Sequence, residues 1–180
     1  MDFAAVFNAQ ARAQGWPFSC DARLVFLSPE LHALHALWLK KARMNSVPTR
    51  GDFEARDLKP FLRNIAIFER VLNGYGTWRH RTRFFGSVLA QRVGELTDQN
   101  LEDVASKKYT PALIACIDAA LATGTPLRFV ARPDAPELSH LVAESILCPL
   151  RGQGDASVLI LSATYVAPRE ELGLSARKWQ

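Results

Sequence analysis

Cysteine is scarce in this chain: Cys20, Cys116 and Cys148 are the only three among 180 residues. An odd, scattered set builds neither a disulfide framework nor a zinc site, and it fits a reducing compartment. Long apolar runs are missing too. None approaches the roughly 18–20 residues of a membrane-spanning helix. The N-terminus opens with Asp2 and lacks the basic n-region of a secretory signal. The usual catalytic signatures are also absent: there is no H-E-x-x-H, G-x-S-x-G, C-x-x-C or P-loop. Charge of one sign is in short supply, with 22 basic against 18 acidic residues and a formal net charge of +4. The expectation is a soluble, cytoplasmic, non-catalytic protein with no membrane contact.

What is present is ordinary globular material. Apolar residues make up 48 % and charged residues 22 %, which excludes disordered and fibrous classes. Asp2 caps an expected helix that shares Phe3, Val6 and Phe7 on one face and ends at Gly15. Trp16-Pro17-Phe18 turns into a short extended segment expected over Leu24–Leu27. Ser28-Pro29 then starts a longer helix, with Leu31, Leu34, Leu37 and Trp38 at helical spacing and Lys40 and Lys41 suiting its negative end.

After a loop over Val47–Phe53 and a helical turn near Leu58, the chain becomes β-rich from Ile65 to Val71. Asn73-Gly74-Tyr75-Gly76 signals a hairpin into a second strand, Trp78–Phe85. Short helical segments follow, Ser87–Val93 and then Pro111–Ala122. Three strands close the pattern: Leu127–Ala131, Ser139–Cys148 and Val158–Val166, with Gly152 and Gly154 at the last turn. This order predicts an α+β fold: a five-stranded antiparallel sheet with short helices on one face, preceded by N-terminal helices. The domain organisation reads as an N-terminal helical extension over 1–43, a domain over 44–167 and a tail over 168–180.

The second strand is the most informative stretch. Strand alternation places Trp78, His80, Thr82 and Phe84 in one row and Arg79, Arg81 and Arg83 in the other. The first row is the more apolar and is expected inside, so His80 and Thr82 need partners there. Those partners are either protein groups or a bound small molecule. Arginine dominates the basic residues of this chain, sixteen against six lysines. The outward arginine row either pairs with carboxylates such as Glu69 or meets a partner. Two other patterns are weaker. His32 and His35 have a spacing at which two imidazoles can share a metal, but no further ligand sits at a matching offset. Cys148 and His140 lie too far apart along one strand to form a nucleophile pair, so Cys148 and Cys116 read as buried core.

Taken in order, a set of short motifs resembles the single-domain PAS proteins of alphaproteobacteria. These motifs are Trp38 on its helix; Pro48, Thr49, Arg50 and Asp52; Leu58, Lys59, Pro60 and Leu62; Arg83 and Gly86; Gly94, Leu96 and Thr97; and Cys148, Pro149 and Leu150. Together they span roughly residues 31–166. The chain departs from the pattern at Asp98, where glycine is usual, and at Ser87, where threonine is usual.

The resemblance implies a sensory or regulatory module. A small molecule would sit between sheet and helices near His80, Thr82, Phe84 and Phe129. The expected interface residues are Arg79, Arg81, Arg83, Leu34 and Trp38, serving a homodimer and a signalling partner. No cysteine has a flavin-adduct context and no histidine is placed as a haem ligand, so no cofactor is named. Only Ala167–Gln180 follow the last strand, so output is expected to pass through protein–protein contact. The alternative is a ligand-free interaction module that docks through the arginine row. A nucleic-acid binder using that row is the least favoured reading.

Overall fold

The computed structural model describes residues 2–42, 46–104, 109–132, 140–152 and 157–168. Its elements run α1 (Phe3–Gln14), β1 (Phe18–Asp21), α2 (Pro29–Lys41), α3 (Ala55–Leu58), β2 (Ile65–Leu72), β3 (Trp78–Phe85), α4 (Ser87–Val93), α5 (Tyr109–Thr123), β4 (Leu127–Ala131), β5 (Leu141–Arg151) and β6 (Ser157–Pro168). Single 3-10 turns lie at Arg50–Asp52, Leu62–Asn64 and Leu101–Asp103. The strands form one antiparallel sheet in the order β1-β4-β5-β6-β2-β3. The tail expected over 168–180 falls, beyond its first residue, outside the described residues.

The sheet has six strands where the sequence pattern predicts five. The additional strand is Phe18–Asp21, and the segment expected to be extended, Leu24–Leu27, is not a strand. The reason is local. Asn8 of α1 satisfies both backbone groups of Cys20: its Oδ1 accepts from the amide at 2.7 Å and its Nδ2 donates to the carbonyl at 2.9 Å. The side-chain amide thus closes the outer edge of β1, while the other edge pairs with β4. At the opposite edge, β3 is closed by a turn: Thr82 donates its amide to Gln99 O at 2.8 Å and accepts from the Asp98 amide at 2.7 Å. Asp98 adopts a φ of 63° there, a left-handed conformation that aspartate tolerates.

Local chemistry sets the helix ends. Asp2 accepts from the Ala5 amide at 3.1 Å, and Gly15 closes α1 with a φ of 63°. Ser28 caps α2, with Pro29 in the first turn. Behind that cap the buried Glu144 carboxylate accepts from the Leu27 and Ser28 amides at 3.0 and 2.8 Å and from Arg128 Nε at 2.6 Å. A negative charge there also suits the positive end of the helix. Arg128 in turn reaches Asp21 at 3.1 Å, so β1, β4, β5 and α2 meet at one ion-paired node.

Both faces of the sheet are covered. On one face Phe7 and Ala11 of α1 and Cys116, Ile117 and Ala120 of α5 pack against Phe68, Leu127, Phe129 and Leu147. On the other, Leu31, Leu34 and Trp38 of α2 join Ile65, Ile67, Ile146, Leu150 and Leu161. Each fully buried leucine contributes about 1.5–3 kcal/mol of apolar burial. Past Leu147, β5 has run beyond its pairing with β4. The Pro149 carbonyl there accepts from Trp38 Nε1 at 2.9 Å. Gly86 permits a tight crossing: a Cβ at this position would sit 2.5 Å from the Leu62 carbonyl oxygen.

Candidate functional site

A cavity of about 460 Å³ lies between the sheet and helices α4 and α5. It exists because the central strands carry small side chains on that face. Ala66 on β2, Ser162 and Thr164 on β6, Ala143 and Ser145 on β5 and Ala131 on β4 all line it. Their registers place them side by side: Ala66 opposite Ser162, Ser145 opposite Thr164, and Ala131 opposite Ala143. Larger groups form the walls, including Phe18, Phe68, Phe85, Leu89, Leu113 and Phe129. The volume falls within the roughly 300–1,000 Å³ typical of small-molecule sites.

The floor holds a few polar atoms. The Ser145 and Thr164 hydroxyls satisfy each other at 2.8 Å, which leaves one O–H proton of the pair free to donate. Ser162 is 4 % exposed and lines the cavity. It brings a third hydroxyl to the floor. Arg92, an exposed residue of α4, is the one charged side chain in the described lining.

Beside this cavity stands a second polar cluster, on the hairpin. His80 is buried, with Nδ1 2.8 Å from Glu102 Oε1 and Nε2 3.1 Å from Asp118 Oδ1. Arg70 also reaches Asp118, at 2.9 Å, and Arg79 Nε approaches Glu102 at 3.5 Å. Burial by itself would lower the pKa of His80; the hydrogen bonds and charges of Asp118 and Glu102 outweigh it and raise the pKa above its ordinary value. Burial would raise that of Asp118, but the bonds from His80 and Arg70 hold it below the carboxylate range. With a carboxylate oxygen facing each ring nitrogen, both nitrogens can donate when the ring is doubly protonated.

Of the residues expected around a ligand, Phe129 lines the cavity; His80, Thr82 and Phe84 are not in its lining. His80 is taken up by the two carboxylates. Thr82 is fully buried and its hydroxyl has no partner among the described residues. Phe84 lies on the opposite face because the β2–β3 register shifts between Ile67 and Phe68. This bulge flips the alternation. Phe85 accordingly replaces Phe84 in the cavity wall, and Phe84 packs with the α2 cluster.

The arginine row does face outward, and each member has a carboxylate of its own chain: Arg79 with Asp103 at 2.6 Å, Arg81 with Asp98 at 2.8 Å and Arg83 with Glu69 at 3.5 Å. Leu34 and Trp38, expected at an interface with a second chain, are buried inside this one at 0 % and 5 % exposure. Both pack from α2 against Ile146, Leu150 and Leu161 of the sheet.

Other candidate groups serve the packing. Burial, with Asp21 and Asp2 adding to it, pushes the Cys20 thiol up to about 12. Burial likewise pushes Cys116 and Cys148 well above the ordinary thiol value. His35 rests against Phe26 with ring centroids 5.6 Å apart. Among the described residues no cluster of three or more His, Cys, Asp or Glu is placed to hold a metal ion, and no helix is long and apolar enough to cross a membrane.

The cavity and the Ser162 hydroxyl escape a sequence reading because they depend on which strands become neighbours. The alternate small residues Ala143-x-Ser145 and Ser162-x-Thr164 are the available signal. No curated protein matches the chain significantly. A family model described as PAS domain matches residues 27–164, from the entry to α2 into β6. That match covers most of the chain and agrees with the antiparallel sheet and short helices around the cavity: the chain belongs to the PAS domain family.

Proposed function

We propose that this protein is a non-catalytic sensory and regulatory module whose state is set by a small molecule held between the sheet and helices α4 and α5. Membership of the PAS family supports the sensory role. The observation that carries the ligand is the cavity itself, about 460 Å³, with Ser145, Ser162 and Thr164 bringing hydroxyl groups to its floor. Output passes through contact with a partner protein, either a second copy of the chain or a signalling protein.

Occupancy has a structural route outward. Leu101 and Cys116 touch the cavity, and the neighbouring Glu102 and Asp118 hold His80. A ligand that shifts α5 or the Leu101–Asp103 turn therefore acts on the hairpin. The reading in which an arginine row alone docks a partner has less support, since Arg79, Arg81 and Arg83 are each matched by a carboxylate of the same chain.

An Ala143→Phe variant tests the ligand reading by filling the floor. Ligand retained by the parent protein should be lost while circular dichroism stays native. Retention at the parent level in a folded variant contradicts the assignment. Should the added ring impair folding, Ser162→Val provides a milder second variant, with reduced retention as the expected result.

A further inference from the structure

Resting on the reading that the cavity is a ligand site, we infer that its ligand is an apolar monocarboxylate, held by the cavity wall along its body and by Arg92 at its head. The wall sets the body. Phe18, Phe68, Phe85, Leu89, Leu113 and Phe129 present ring and aliphatic carbon, and such a surface rewards apolar ligands in proportion to the area they bury.

The single charge sets the head. Arg92 is the one charged residue of the described lining, and no carboxylate accompanies it there. It has no ion-pair or hydrogen-bond partner among the described residues, unlike the strand arginines Arg79, Arg81 and Arg83. Being exposed, it belongs to the open side of the cavity, so a headgroup stays partly solvated while the body is buried. A cationic ligand would meet like charge, with no carboxylate in the described lining to offset it. A planar guanidinium matches a carboxylate with two parallel hydrogen bonds. A dianionic phosphate would bring two negative charges against the single positive charge of the described lining. The spare O–H of the Ser145–Thr164 pair and the Ser162 hydroxyl remain for a hydrogen-bonding atom farther along the body.

The test uses the full chain and four defined probes: dodecanoate and 2-naphthoate as aliphatic and aromatic acids, and dodecanol and 2-naphthol as their neutral counterparts. Affinities are measured by calorimetric titration for the parent protein and for Arg92→Gln. At least one acid should bind about fivefold tighter than its alcohol, the size of a partly exposed charge pair. Arg92→Gln should erase that margin, so that acid and alcohol bind alike. The preferred acid then tells an aliphatic from an aromatic source. Equal binding of acids and alcohols, or a margin that survives Arg92→Gln, overturns the carboxylate assignment while leaving the cavity reading intact. Failure of all four probes to bind counts against both.

Discussion

His80 Nε2 lies 3.1 Å from Asp118 Oδ1, and this pair ties the edge strand β3 to helix α5, one wall of the cavity. Glu102 takes the other ring nitrogen at 2.8 Å, so one buried imidazole fastens the hairpin, the Leu101–Asp103 turn and the helix. Arg70 and Arg79 face the same two carboxylates from β2 and β3. The arrangement stores pH dependence in the fold.

The sign follows from the pKa directions. The folded pKa of His80 is raised above its ordinary value of 6.5. Its contribution is therefore complete below the unfolded value and is lost as pH rises through the folded one. Asp118 is lowered from 3.8, so its contribution is present above that value and is lost as pH falls through its folded pKa. Thermal unfolding followed from about pH 5 to about pH 9, which brackets a raised histidine, should show stability falling toward the alkaline end. His80→Gln should flatten that slope. An unchanged slope would mean that other groups carry it.

Glu144→Ala should be among the most damaging substitutions. It removes the more buried of the two carboxylates that pair with Arg128, itself 2 % exposed, leaving only Asp21, and orphans the Leu27 and Ser28 amides. Breaking a buried pair on one side costs about 3–5 kcal/mol, which lowers the melting temperature by about 10 °C in a domain of this size. Differential scanning calorimetry reads it directly, and a melting temperature close to the parent's would contradict the buried node.

Gly86→Ala should destabilise even though it adds a single methyl. The new Cβ meets the backbone oxygens of Leu62 and Arg63 at 2.5 and 2.6 Å, and backbone gives way poorly. A loss of about 1–3 kcal/mol is expected from overpacking, measured by urea unfolding. Gly74→Ala provides the control, since nothing lies within 4 Å of its added Cβ.

Trp38→Phe isolates the α2 anchor. The phenyl ring keeps most of the apolar contact but leaves the Pro149 carbonyl without its 2.9 Å donor. A cost of about 1–3 kcal/mol follows from an unsatisfied buried acceptor, read as a lower denaturant midpoint with an unchanged slope.

These predictions draw unequally on what the sequence reveals. The caps at Asp2 and Ser28, the hairpin turn at Asn73–Gly76 and the strand at Leu127–Ala131 were legible, because they depend on neighbours along the chain. The predicted Ser139–Cys148 strand is observed over Leu141–Arg151; Ser139 and Gly154 lie outside the described residues. The β1 strand was hidden, since its edge is satisfied by Asn8 from another element rather than marked by its own pattern. Phe84 and Phe85 exchanged faces because a bulge inserts one residue without any sequence sign. The Arg128–Glu144 pair and the cavity floor join residues of different strands, and register alone brings them together. Of the anticipated ligand residues only Phe129 lines the cavity, because its environment follows from simple alternation in β4.

A pair of mass spectra of the purified protein, native and denaturing, tests the ligand-holding cavity most directly. The native spectrum should carry a small additional mass that disappears on denaturation, and Ala143→Phe should remove it. The apo mass in both spectra, together with no gain in melting temperature on adding dodecanoate or 2-naphthoate, would contradict a ligand-holding cavity.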